Sequence, residues 1–153
     1  MAQKKKKQHS SHVVNRRASF DYALGDELTA GIVLSGREVR AARTGRVQLK
    51  GSFVTIRQGE LWLNNASFSL LGSEKGKQDT RVDTSPRKLL VSKKQLHALE
   101  KEKVNGLSLV PLRLLTGGRF IKLVIATGKG KKRYDKRQAI KQRDQERDNK
   151  GLR

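Results

Sequence analysis

The sequence predicts a mainly β fold: a small closed barrel of six or seven short strands, with two or three peripheral helices and a basic C-terminal tail. Three observations predict it. Short apolar runs recur between Phe20 and Thr127, punctuated by glycine-bearing turns, and many short strands hide their edges only by closing or stacking. Two intervening stretches carry helical spacing and end signals instead. After Thr127 apolar residues nearly vanish, while residues 129–153 hold eleven cations against four acids, a net of +7.

The elements follow in order. Residues 1–14 combine a lysine run with almost nothing apolar, so they read as a disordered basic arm. AGIVLSG (30–36) reads as a buried strand with glycine near both ends. GREVRAARTG (36–45) reads as a helix that starts after Gly36 and stops at Gly45, with Val39 and Ala42 against the core. FVTIRQGELWLNN (53–65) is a hairpin: Val54 and Ile56 share one face, Leu61 and Leu63 another, and Gly59 supplies the tight connection. KLLV (88–91) is a short strand, after which Ser92 and Gln95 form a capping-box pattern. That box opens a helix carrying Leu96 and Leu99, which Asn105-Gly106 stops. LSLVPLRLL and RFIKLVIA flank Thr-Gly-Gly as a second hairpin. Ile121, Leu123 and Ile125 make one of its faces apolar, and Pro111 places its own strand at an edge or a bulge. The domains are therefore an arm (1–14), a β-barrel (15–128) and a tail (129–153). The tail cannot fold alone, but its helix formers allow a helix once a partner neutralises it.

Charge narrows the function. Thirty-five Lys and Arg against fourteen Asp and Glu give +21 at neutral pH, which points to a polyanionic partner. The chain has no cysteine, which excludes disulfides, thiol chemistry and cysteine-ligated zinc and suits a reducing cytoplasm. No apolar run follows the basic N-terminus, so it does not read as a secretory signal, and none approaches membrane-span length. His9, His12 and His97 are scattered, no nucleophile or paired-carboxylate motif is present, and no metal or cofactor is expected. GKGKK (128–132) lacks the spacing of an NTP-binding loop.

The candidate binding residues are cationic. Arg37, Arg40 and Arg43 recur every third residue along one helical stripe and suit phosphate contact, with a solvated basic face as the alternative. Glu38 reads as a partner for nearby arginines. Arg16 and Arg17, in NRRASFDY (15–22), either hold phosphates or form a charged turn. Lys129, Lys131 and Lys132 meet phosphates while Gly130 lets a backbone approach closely. Trp62 is either core or a stacking surface, and Tyr134, alone among cations, reads as a base-stacking residue. With few aromatics, a reader of folded RNA shape fits better than a reader of single strands.

NRRASFDY, AGIVLSGREVRAARTGRVQL, RKLL and GKGKKRYDKR followed by IKQRDQER stand in an order that resembles the SsrA-binding protein family, small protein B. The resemblance runs from Asn15 to the end and implies an oligonucleotide-binding-like barrel. It also implies a non-enzymatic function. Such a protein binds transfer-messenger RNA at its tRNA-like domain and delivers it to stalled ribosomes for trans-translation, its tail turning helical in the decoding centre and empty message channel. Gly130 resembles a position needed for RNA association, and Leu90 and Ser92 fall at RNA-contacting positions. Thr29 stands where some members carry a glutamate. Tyr134, Asp135, Lys136 and Arg137 match the motif that faces the decoding centre, and DNKGLR lacks the apolar end of some members' tails. The expected partners are transfer-messenger RNA and the ribosome, with no membrane, for a cytoplasmic protein that is a monomer without RNA. A constitutive ribosomal protein with rRNA-threading tails is the alternative binding class; a metal-dependent nuclease using Glu38 or Asp135 is the enzymatic one.

Overall fold

Six antiparallel strands form a closed ring in this computed structural model, which describes residues 12–72 and 80–151. In chain order the elements run β1 (His12–Val14), α1 (Ala18–Asp21), β2 (Tyr22–Ile32), α2 (Gly36–Arg43), β3 (Val47–Gln48), β4 (Phe53–Arg57) and β5 (Glu60–Asn64). They continue with β6 (Ser67–Leu71), β7 (Thr80–Asp83), β8 (Arg87–Leu90), α3 (Lys93–Val104), β9 (Ser108–Leu115), β10 (Lys122–Gly130) and α4 (Arg133–Gly151). The ring order is β9-β10-β2-β8-β5-β4, and it closes where Val54 of β4 pairs with Leu109 of β9. The expected mainly β architecture with peripheral helices is therefore present.

Local chemistry explains most elements. Gln58 and Gly59 both take positive φ between β4 and β5, the tight turn that matches strand twist, and Val54, Leu61 and Leu63 then face inward. Helix α2 begins at a capping box in which Ser35 accepts from the Glu38 amide while Glu38 accepts from the Ser35 amide; α3 repeats the arrangement with Ser92 and Gln95. Pro111 sits where the β9–β10 register shifts, between the pairs Val124–Arg113 and Ile125–Pro111.

The core fills the ring with Leu61, Leu63, Leu89, Leu109, Leu114, Leu123 and Ile125, closed by Ala41 and Ala42 of α2 and Leu99 of α3. Each such leucine contributes about 1.5–3 kcal/mol by leaving water. The opposite face of β9 and β10 is buried too: Ala18 of α1 covers Val110, Leu112, Val124 and Ala126. Val124 was expected only to alternate with the apolar face.

Three features depart from the sequence reading. AGIVLSG is the end of a strand rather than a strand of its own: β2 runs from Tyr22 to Ile32, and residues 33–35 leave it. The polar first part of β2 is held by β10, which pairs with it from Gly130–Tyr22 to Lys122–Gly31, so ladder hydrogen bonds replace apolar burial. Order also begins early, because His12–Val14 pair with Leu115–Arg113 of β9; the rest of the predicted arm, residues 1–11, lies outside the described residues. A second sheet, β3-β6-β7, was not anticipated.

Candidate nucleic-acid interface

The long β2–β10 ribbon separates the candidate residues into two groups. Tyr22 pairs with Gly130 at one end, and Gly31 pairs with both Lys122 and Leu90 at the other. Nine residue steps of strand lead from Tyr22 to Gly31, which is about 30 Å of extended chain.

At the Gly130 end, α1 and the end of β10 bring Arg16, Arg17 and Lys129–Lys132 together. Lys129 pairs with Ala23, and Lys131 is tied down, its amide donating to the Asp21 carbonyl and its Nζ to the Ser19 carbonyl, both at 2.9 Å. Lys131 therefore closes α1 with one of its three ammonium donors. Arg17 lies 3.6 Å from the Asp21 carboxylate and stacks on Phe20, with 5.3 Å to the ring centroid. Arg16, Lys129 and Lys132 are exposed. The glycines differ: a Cβ on Gly128 would meet the Tyr22 Cβ at 3.1 Å and the Ala23 carbonyl at 3.4 Å, whereas one on Gly130 would meet nothing within 4 Å. Gly128 sits where a side chain would press on Tyr22 and Ala23. Gly130 leaves open space beside the cations.

Helix α4 leaves from this end. Lys136 reaches Asp21, and Arg143 lies over Phe20 at 5.6 Å. Arg137 is exposed. Tyr134 and Asp135 fall in the first turn of α4, and their side chains lie outside the described ones.

At the other end, Leu90 is 53% exposed, and a Cβ added to Gly31 would lie 3.2 Å from the Leu90 Cβ, a tight contact. Ser92 beside it caps α3. The arginine stripe of α2 divides. Arg37 and Arg40 are exposed, but Arg43 donates to the carbonyls of Thr116, Gly118 and Arg119 at 3.1–3.2 Å and fixes the β9–β10 turn. Arg43 is thus a structural residue as much as a binding one. Glu38 pairs as expected, with a different arginine: its Oε1 lies 3.4 Å from Arg87.

Arg87 is the residue that sequence reasoning missed most completely. Its side chain is 3% exposed, packs on Phe68 with 3.9 Å to the ring centroid, and donates to the carbonyls of Ala66, Asp83 and Ser85. It joins α2, β7 and β8. The Ser85 hydroxyl and amide, both donating to Asp83, hold that carboxyl below the usual carboxylate range, and Arg87 adds to the effect. Asp21 was likewise unassigned, although it lies inside NRRASFDY.

The acids explain the surface charge. Among the described residues Asp21, Glu27, Glu38, Glu60, Asp83 and Glu100 each face a cationic or protonatable partner within the chain. These six carboxylates serve internal pairs, while Arg16, Lys129 and Lys132 at one end of the ribbon and Arg37 and Arg40 at the other are exposed. Trp62 lies on β5 between the inward Leu61 and Leu63, partly exposed on the outer face near Lys88. Among the described residues no helix is long and apolar enough to cross a membrane.

A sequence model of the SmpB protein family matches residues 12–152. The SsrA-binding protein of Streptococcus suis (strain 98HAH33) is 42% identical over 135 residues, 88% of this chain and 86% of that protein. The SsrA-binding protein of Streptococcus pneumoniae (strain Hungary19A-6) is 41% identical over the same length. Among solved structures, a chain described as "tmRNA-SmpB: a journey to the center of the bacterial ribosome" superposes with a TM-score of 0.63 at 36% identity, covering 86% of this chain and 95% of that one.

Proposed function

The chain belongs to the SmpB protein family, and from that premise we propose that it binds the tRNA-like domain of transfer-messenger RNA and delivers it to stalled ribosomes for trans-translation. Family membership supplies the partner. The observation that supports an adaptor is the pair of cationic ends held apart by the β2–β10 ribbon, because an adaptor needs two RNA contacts that do not compete. One contact uses Leu90, Ser92, Arg37 and Arg40. The other uses Arg16, Arg17, Lys129, Gly130 and Lys132 and continues into the tail, where Tyr134, Asp135, Lys136 and Arg137 meet the decoding centre.

The protein contributes shape and charge rather than catalysis, and it works in the cytoplasm as a monomer until RNA binds. Phosphate contacts alone would give a salt-labile complex: six to ten of them weaken binding by roughly 10³–10⁵ between 50 and 200 mM salt. Selectivity therefore rests on RNA shape read by a rigid ring.

The test uses ribosomes stalled on a message lacking a stop codon, with transfer-messenger RNA and either the full chain or one ending after Lys132. Lys132 is the right cut because β10 extends to Gly130 and Lys131 binds α1. The expected result is tagging of the stranded peptide with the full chain, and RNA binding without tagging for the shortened one. Equal tagging by both would remove the tail from the mechanism, and no tagging by either would overturn the reading.

A further inference from the structure

We propose that the hollow between α2 and β6 is a nucleotide pocket, taking one everted nucleotide of the bound RNA with its base against Ala41 and Leu71 and its phosphate among Arg37, Arg40 and Arg46. The proposal rests on the RNA-binding function above and deepens it, adding Arg46, Ser69 and Leu71 to the candidate residues of the α2 stripe.

The hollow has a volume of about 230 Å³ and is lined by these residues. That lies below the roughly 300–1,000 Å³ of sites that enclose drug-sized ligands, so it suits one flat base and not a stack or a helix. Its walls differ in chemistry. Ala41 is buried and Leu71 half-exposed, which gives an apolar surface, while the exposed Arg37, Arg40 and Arg46 complete the lining. Guanidinium planes stack on bases and hold phosphate with paired N–H donors, so a single nucleotide satisfies both surfaces together.

The state of these arginines carries the argument. Arg17, Arg87 and Arg113 each have an acidic partner, and Arg43 is used by three carbonyls. Arg37, Arg40 and Arg46 have no acidic partner among the described residues. The acid closest in sequence, Glu38, is engaged by Arg87 and by the Ser35 amide. Three like charges around one hollow repel each other, and an entering phosphate relieves that repulsion. The site is also held in place: the Ser69 amide donates to the Arg46 carbonyl at 3.0 Å, and the Thr44 hydroxyl is used by the Arg40 carbonyl, so α2 and β6 keep their spacing. The Ser69 hydroxyl remains available to a base edge.

The experiment titrates the full-length chain with adenosine 5′-monophosphate, cytidine 5′-monophosphate, adenosine and inorganic phosphate, following backbone amide resonances. Both nucleotides are expected to shift Ala41, Ser69 and Leu71 saturably, at least tenfold more tightly than phosphate or adenosine. The double variant R40Q/R46Q should lose these shifts while keeping the dispersion of a folded ring, and should bind transfer-messenger RNA at least tenfold more weakly. Leu71→Ser should weaken nucleotide but not phosphate binding. Phosphate binding as tight as nucleotide binding would overturn the base-holding site, as would nucleotide shifts that persist in R40Q/R46Q. Full RNA affinity in R40Q/R46Q would separate the hollow from the RNA surface and overturn the proposal. If the unsubstituted chain failed to prefer transfer-messenger RNA over ordinary tRNA, the functional reading would fall, while the nucleotide titration would still decide whether the hollow takes a nucleotide.

Discussion

Lys136 of α4 reaches Asp21 of α1, Nζ to Oδ1 at 3.3 Å, and Arg17 approaches the same carboxylate from one helical turn away. A single acid thus gathers the end of α1 and the start of the tail helix, with the Lys131 amide bound to the carbonyl of the same residue. The rest of α4 is largely exposed, with five cations against three acids between residues 137 and 151. Asp21 and Phe20 therefore hold the start of the tail helix against α1.

Asp21→Asn should loosen this docking without disturbing the ring. Both partners are about one-third exposed, so the loss is about 0.2–1 kcal/mol, which corresponds to roughly 1.5- to 5-fold faster amide exchange across residues 137–150. Exchange in β10 should not change. Unaltered exchange in the tail would show that the ion pair does not hold it.

The two glycines near the end of β10 should separate folding from binding. Gly128→Ala forces a Cβ against Tyr22 and Ala23 and should destabilise the protein by about 1–3 kcal/mol in urea unfolding. Gly130→Ala meets open space, so its stability should stay within about 0.5 kcal/mol while RNA affinity drops. Loss of stability in Gly130→Ala would make that glycine a folding residue instead.

Ser92 has two roles to pull apart. Ser92→Ala removes the cap of α3 and should cost about 0.5–2 kcal/mol, whereas Ser92→Asn caps equally well and should be nearly neutral. If RNA binding follows the cap, Ser92→Asn keeps affinity and Ser92→Ala loses it. Equal loss in both would place the hydroxyl itself on the RNA.

Asp83 makes stability pH-dependent. Its folded pKa lies below the ordinary 3.8, through the Ser85 hydrogen bonds first and Arg87 after them. The sign follows: this contribution is complete above the unfolded pKa and disappears as pH falls through the folded one. Ser85→Ala should therefore melt earlier than the parent at pH 7, and the gap should shrink as pH falls below 3.8. A constant gap across that range would locate the effect elsewhere.

Arg87→Ala should be the most damaging of the single substitutions considered, by about 2–5 kcal/mol, because it empties the space against Phe68 and leaves the buried Ala66 carbonyl without its donor. Chemical denaturation measures this directly. A cost near that of a surface arginine would mean that Phe68 and its neighbours close over the gap.

What was legible in the sequence was what local chemistry controls. The Ser92–Gln95 box, the turn at Gly59 and the alternation of Ile121, Leu123 and Ile125 were read and are present. The Ser35–Glu38 box was equally local and was passed over, because Gly36 drew attention as a boundary. β7 was unreadable for a different reason: Thr80–Asp83 has one apolar residue, Val82, and that one is exposed, so only pairing with β6 makes it a strand. Arg43 and Arg87 could not be distinguished from surface arginines, since their partners lie up to 76 and 49 residues away. The cationic character of the surface was visible in composition. Its division into two ends was not, because that depends on the register of β2 against β10.

The central claim is selective binding of one folded RNA, and competition at about 150 mM salt, near physiological ionic strength, tests it most directly. Labelled transfer-messenger RNA is bound to the full chain and challenged with excess ordinary tRNA. The account predicts that the complex survives the challenge, with or without residues beyond Lys132. Displacement by tRNA as readily as by unlabelled transfer-messenger RNA would contradict it, leaving a basic protein that binds RNA by charge alone.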